Sequence, residues 1–301
     1  MRIGTRGSPL ALAQAHEVRR RLAVAHRCEE ARFEIVVIRT SGDMIQDRPL
    51  AEAGGKGLFT REIDAAMLSG EIDAAVHSSK DLPTALPPGI VIAGYLPRED
   101  VRDALISATA GAIADLPHGA TLGSASLRRQ AQARRLRPDL QVTLLRGNVE
   151  TRLRKAESGE IGATLLAYAG LRRLGLAHRA TALLGIDDFL PAVGQGAIGL
   201  TARADDAATH RALEGIVDAD AGHALAAERA FLAVLDGSCR TPIAGHARLG
   251  DGRLEFRGMV LRADGSETFE VAMGGAIGDA GRIGEEAGRD LLARLPPGVL
   301  G

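Results

Sequence analysis

Residues 72–83 read Ile72-Asp73-Ala74-Ala75-Val76-His77-Ser78-Ser79-Lys80-Asp81-Leu82-Pro83. The apolar run has the length of a buried strand, and after His77 it breaks into two hydroxyls, a cation and a carboxylate. Such a strand delivers Ser78, Lys80 and Asp81 to the carboxyl edge of a sheet, where open α/β folds bind their ligands. Lys80 can hold an anion there. Asp81 can pair with a developing cation or shuttle a proton.

Upstream, Arg2–Thr5 reads as a short strand, and Ser8–Ala25 has helical spacing at Leu12, Ala15, Val18 and Leu22. Phe33–Ile38 is a strand and Lys56–Ser69 a helix, so alternation predicts βαβ units and a parallel sheet. A second alternating block follows Leu96–Asp100: strand Thr121–Gly123, helix Ser126–Leu136, strand Gln141–Leu145, helix Asn148–Ser158 and strand Ala163–Leu166. The Gly- and Pro-rich stretch Leu190–Gly196 predicts a second linker. Beyond Asp218, helices His223–Leu235 and Ile283–Leu295 bracket strand-like runs Ala244–Leu249, Leu254–Leu261 and Thr268–Ala272. This grouping predicts a small α+β domain behind two α/β lobes.

Composition narrows the function. Among 301 residues, 37 Lys plus Arg face 38 Asp plus Glu, so any basic site is local, which argues against a nucleic-acid binder. Trp is absent and aromatics are 3%, too few for base stacking. Two cysteines, Cys28 and Cys239, do not make a disulfide framework or a structural zinc site, and the histidines show no metal spacing. No apolar run predicts a membrane span and the N-terminus does not read as a signal peptide, so the expectation is a cytoplasmic protein with no membrane partner.

The cationic motifs recur where strands give way to helices. In Thr5-Arg6-Gly7-Ser8-Pro9, Ser8 is a plausible N-cap and Pro9 the first helical residue, placing Arg6 at a helix N-terminus suited to anions. Ser126-Leu127-Arg128-Arg129 sets two arginines against the macrodipole, which is unfavourable without an anion. Arg146-Gly147-Asn148 and Arg152 repeat the arrangement, and Arg172 and Arg173 follow a third strand. Arg134, Arg135, Arg137 and Arg154 read as solvated helix faces. Many separated guanidiniums suit a ligand with several carboxylates, and neither a Walker A nor a GxGxxG motif is present. Gly54-Gly55-Lys56-Gly57-Leu58-Phe59 has the flexibility of a lid. Cys239, in the turn Asp236-Gly237-Ser238-Cys239-Arg240, sits among small residues beside a cation that favours a nucleophilic thiolate.

Taken in order, TRGSPLALAQA, GGKGLF, DAAVHSSKDLP, SLRRQAQ, RGNVETRL, AGLRRLGL, LPAVGQGA and LDGSCRTPI closely resemble the hydroxymethylbilane synthase (porphobilinogen deaminase) family across residues 4–245. The resemblance implies two lobes like periplasmic-binding-protein type II folds, here residues 1–96 with about 197–216, and 100–191. The third, smaller α+β domain is 219–301. It implies a monomeric transferase that deaminates four porphobilinogen molecules and joins them head to tail on a dipyrromethane held by a thioether to Cys239, with Asp81 catalytic. The cofactor- and substrate-binding residues so implied are Arg6, Ser8, Lys56, Ser78, Lys80, Ser126, Arg128, Arg129, Arg146, Asn148, Arg152, Arg173 and Gln195, with Phe59 in the lid. Glu52 stands where many relatives carry Lys, which removes an anion-binding role at that position. The rival reading is a two-lobed organic-anion binding module without catalysis.

Overall fold

The computed structural model describes residues 1–44, 57–235 and 241–300. Lys56, Glu52 and Cys239 lie outside the described residues. The first sheet holds β1 (Arg2–Thr5), β2 (Glu34–Val37), β3 (Ala74–Ser78), β4 (Ile90–Tyr95) and β10 (Ile198–Arg203), in the order β2-β1-β3-β10-β4. The second holds β5 (Asp103–Ile106), β6 (Thr121–Gly123), β7 (Gln141–Thr143), β8 (Ala163–Ala167) and β9 (Ala182–Leu183), in the order β7-β6-β8-β5-β9. Both lobes therefore share one plan. Three parallel strands are followed by one antiparallel strand and then an edge strand.

The wholly parallel sheet expected from alternation is corrected here. β10 runs antiparallel to β3 and β4, and β5 antiparallel to β8 and β9. These two are the strands entered directly from a crossing between lobes, so the chain reaches each sheet from the opposite end. The alternation missed β4, β5 and β10 because no helix separates them from the linkers.

In the first lobe, α1 (Pro9–Ala25) buries Ala15, Val18 and Leu22 against the sheet. Its start is as expected: the Ser8 hydroxyl accepts the Ala11 N–H at 3.3 Å and Pro9 opens the helix. The short α2 (Ser41–Met44) and α3 (Arg61–Leu68) follow. α3 begins several residues later than the pattern at Lys56–Ser69 predicts, because 57–60 form a turn. In the second lobe α4 (Leu127–Leu136) and α5 (Val149–Glu157) are capped by Ser126 and Asn148, and α6 (Tyr168–Arg173) follows β8. After β10 come α7 (Ala207–Glu214) and α8 (Ala219–Val234). The antiparallel meander β11 (Ile243–Gly250), β12 (Arg253–Leu261) and β13 (Thr268–Ala276) packs with α8 and α9 (Ala280–Arg294) around Phe231, Phe256 and Leu291. Among the described residues, no helix is long and apolar enough to cross a membrane.

The two crossings touch each other. Glu99 donates its N–H to Gly196 O, and Gly196 has φ +85° with Glu99 O 2.4 Å from where a Cβ would stand. A side chain there meets both strain and backbone overlap. One buried ion pair gathers the junction: Arg98 donates to both oxygens of Glu228, at 2.6 and 3.0 Å, and to Gln195 O. Glu228, fully buried in α8, also accepts from the N–H groups of Gly194 and Ala247. Removing the carboxylate strands a guanidinium and two amides. Glu228→Ala should therefore destabilise the chain by about 3–5 kcal/mol, read from the urea-unfolding midpoint; a loss under about 1 kcal/mol would show that the node is not a keystone.

Candidate functional site

The end of β3 and the start of α1 build one wall of the site. Ser78 exchanges hydrogen bonds with the buried amide of Gln14, at 2.9 and 3.1 Å. Arg6 lies with Cζ 4.1 Å from the centre of the Phe59 ring, a cation–π contact, and its Nη1 is 3.7 Å from Asp81 Oδ2. Arg6, Ser8, Phe59, Ser78 and Asp81 line one concavity. About a third of the Asp81 side chain remains exposed. His77 behind it is buried against Thr201, and burial pushes its pKa down to about 4, so the ring is neutral at physiological pH.

The opposite wall comes from the capped starts of α4 and α5. Asn148 accepts the Thr151 N–H and Arg152 donates to Gly147 O. Burial and then Arg129 and Arg146 lower the Arg152 guanidinium to about 10, while Asp81 acts the other way. Asp81, Arg129, Arg146 and Arg152 therefore share one electrostatic neighbourhood, although they belong to both lobes. Lys80 lies in it too. Burial first, then Arg129, pushes its amine down to about 8, and Asp81 and Asp103 only partly oppose this.

Four of the residues expected to bind ligand also bond within the protein. Arg128 and Arg129 are buried, and both donate to the buried carboxylate of Asp103. The anion that their helix position demands is thus internal. Gln195 is buried in the junction, donating to Val101 O and Asp103 Oδ1. Arg173 donates to Gly196 O and lies 3.6 Å from Glu17 of α1, linking the second lobe to the first and to the return crossing.

Further corrections concern the helix faces. Arg137 is not solvated: it pairs with Asp139 and donates to the carbonyls of Ile113, Ala114, Leu116 and Pro117. Arg134 and Arg135 reach Ala263 O and Asp188 O, and Arg135 lies 3.7 Å from Glu270, so α4 is tied to the third domain. Arg154 is exposed as expected. Residues that the pattern missed are Gln14, Asp103 and Glu228. Only Asp103 left a signal, the pair of arginines at a helix start lacking an anion.

This geometry defines a two-lobed α/β protein in which cations from both lobes surround one carboxylate, Asp81. A family model described as "Porphobilinogen deaminase, dipyromethane cofactor binding domain" matches residues 1–211, and one described as "Porphobilinogen deaminase, C-terminal domain" matches 223–293. The chain belongs to the porphobilinogen deaminase family. Porphobilinogen deaminase of Nitrobacter winogradskyi is 59% identical over 97% of this chain and 92% of its own length, and that of Paracoccus denitrificans 56% identical over 98% and 95%. A chloroplastic porphobilinogen deaminase of Oryza sativa is 54% identical over 99% of this chain and 85% of its own. Among solved structures, a nutrient-binding protein from Burkholderia cenocepacia bound to methionine aligns with 72% of this chain and 91% of its own at 16% identity and a TM-score of 0.43.

The lowered Lys80 pKa has a direct consequence. The Lys80 amine is charged below about 8 and neutral above it, so any hold it has on a carboxylate is complete at lower pH and disappears as pH rises. Losing one charge-assisted contact costs about 1.5 kcal/mol or more, roughly tenfold in affinity. Porphobilinogen affinity should fall about that much between roughly pH 7 and pH 9, and Lys80→Arg should flatten the profile. Calorimetric or KM measurements across that range check it; an unchanged affinity would contradict it.

Proposed function

We propose that the chain works as a hydroxymethylbilane synthase, a transferase that deaminates porphobilinogen and joins four molecules head to tail, with Asp81 as its catalytic carboxylate. Residues 1–96 with about 197–216, 100–191 and 219–301 are taken as its working domains. It is read as a cytoplasmic monomer whose partner is the small-molecule substrate. The observation that carries the reading is a partly exposed carboxylate, Asp81, among Arg6, Arg129, Arg152 and Lys80.

The residues fit a polycarboxylate primer, since Arg6, Lys80, Arg146 and Arg152 bring more positive charge to the cleft than Asp81 cancels. Cys239, read as the attachment residue, follows α8 (Ala219–Val234) and precedes β11 (Ile243–Gly250) in sequence. When bound there, a dipyrromethane supplies the free pyrrole α-carbon to which the first substrate is joined. Arg6, Lys80, Arg146 and Arg152 hold acetate and propionate groups, and the helix starts at Ser8, Ser126 and Asn148 add oriented N–H groups. Asp81 faces the positive charge that develops on the substrate pyrrole as ammonia leaves. A fixed carboxylate there stabilises the transition state more than the neutral ground state.

A simple anion receptor gains nothing from Asp81, which would repel its ligand. Asp81→Asn should therefore keep the fold and slow single-turnover porphobilinogen consumption at least ~100-fold, the scale for losing such a group. Asp81→Glu should retain measurable activity, because the charge survives with displaced geometry. Wild-type speed in the Asn variant would remove Asp81 from the chemistry.

A further inference from the structure

Asp103 is the first residue of β5 and is wholly buried, yet its carboxylate accepts four hydrogen bonds from three side chains. Arg128 Nη2 donates to its Oδ2 at 2.7 Å. Arg129 donates to Oδ1 through Nε at 3.0 Å and Nη2 at 2.7 Å, and Gln195 Nε2 donates to the same oxygen at 3.0 Å. The guanidiniums are steadied further by carbonyls, Leu190 O for Arg128 and Leu165 O for Arg129. Arg128 thus makes two bonds to the protein and Arg129 three, of the five N–H groups that each fork carries. One carboxylate serves two cations, so the cluster keeps net positive charge.

We propose that Asp103 is a positioning residue of this cleft, an internal carboxylate that orients Arg128 and Arg129 and holds them in register for the carboxylates of an incoming ligand. The proposal rests on the functional reading above for the identity of that ligand. Without Asp103, two adjacent buried guanidiniums would repel and turn toward other acceptors. With it, their remaining donors have a fixed direction before the ligand arrives, which lowers the ordering cost of binding. Gln195, on the return crossing, also donates to Val101 O on the outgoing one, so the junction between lobes and the arginine pair share one anchor.

Lys80 reports on this cluster. It faces Arg128 and Arg129 of α4, Asp103 of β5 and its own neighbour Asp81. The chain has three lysines, Lys56, Lys80 and Lys155, so peptide mass resolves the reactivity of Lys80 with acetic anhydride as a function of pH. That measurement needs no turnover, and it is made on the full chain beside porphobilinogen kinetics.

In the parent chain the Lys80 reactivity midpoint should lie at about 8. Asp103→Asn should lower it by about one pH unit, because a neighbouring negative charge is gone. It should also raise KM about tenfold while kcat per cofactor-loaded molecule stays within about threefold, the signature of lost ligand positioning. Asp103→Glu should return the midpoint to the parent value even if KM stays raised. The proposal is overturned by an Asn variant that loses stability with midpoint and KM unmoved, or by a Glu variant that shifts the midpoint as far as Asn does. Should Asn fail to fold, the Glu variant decides alone, a parent-like midpoint supporting the proposal and a shifted one overturning it. A parent chain that consumes no porphobilinogen would sink the functional reading, while the labelling series would still decide whether Asp103 governs the cluster.

Discussion

The buried pair between Arg98 and Glu228 is the constraint on which the rest of the arrangement depends. Arg98 belongs to the outgoing crossing, Gly194 to the return crossing and Ala247 to β11, and all of them bond to a single carboxylate on α8. A buried charge is tolerable only when its hydrogen-bonding capacity is met. Satisfying Glu228 therefore forces the junction between lobes and the third domain into one geometry. The same helix is also tied to the first lobe, where Arg229 donates to the carbonyls of Pro83 and Thr84.

Asp103 repeats the principle on the other side of the junction. Despite complete burial its carboxyl is held at about 2, because Arg128 and Arg129 outweigh desolvation. The two nodes divide the work. Glu228 sets where the three sheets stand, and Asp103 sets which way the arginines face. What they leave to the cleft is a surplus of positive charge around Asp81, in a place where burial already lowers Lys80 and Arg152. In the proposed reading such a site takes up carboxylates and, through Asp81, a transient cation. A receptor for anions needs the first property alone.

Much of this was legible in the residues. Strands that end in hydroxyls and cations, as at Ser78 and Lys80, announce a ligand edge because polar groups cannot continue a buried strand. Ser8 caps its helix as read, and Ser126 and Asn148, read as the first residues of their helices, cap them one position earlier. Periodicity could not reveal β5 or β10, which follow linkers without a helix between. Nor could it show that Arg128, Arg129 and Gln195 are turned inward. The aspartate that they meet, Asp103, stands twenty-five residues before Arg128 in sequence. Arg137 misled for the same reason, since the carbonyls it gathers belong to a loop some twenty residues away.

The central claim is that this fold exists to present a chain grown on Cys239 to the carboxylate of Asp81. Intact-mass measurement of the purified full-length chain tests it most directly, with peptide mapping to locate any addition. The account predicts a covalent increment matching a dipyrromethane, confined to the peptide that contains Cys239. A chain with the bare polypeptide mass after expression with porphobilinogen available, or an adduct on Cys28, would contradict it.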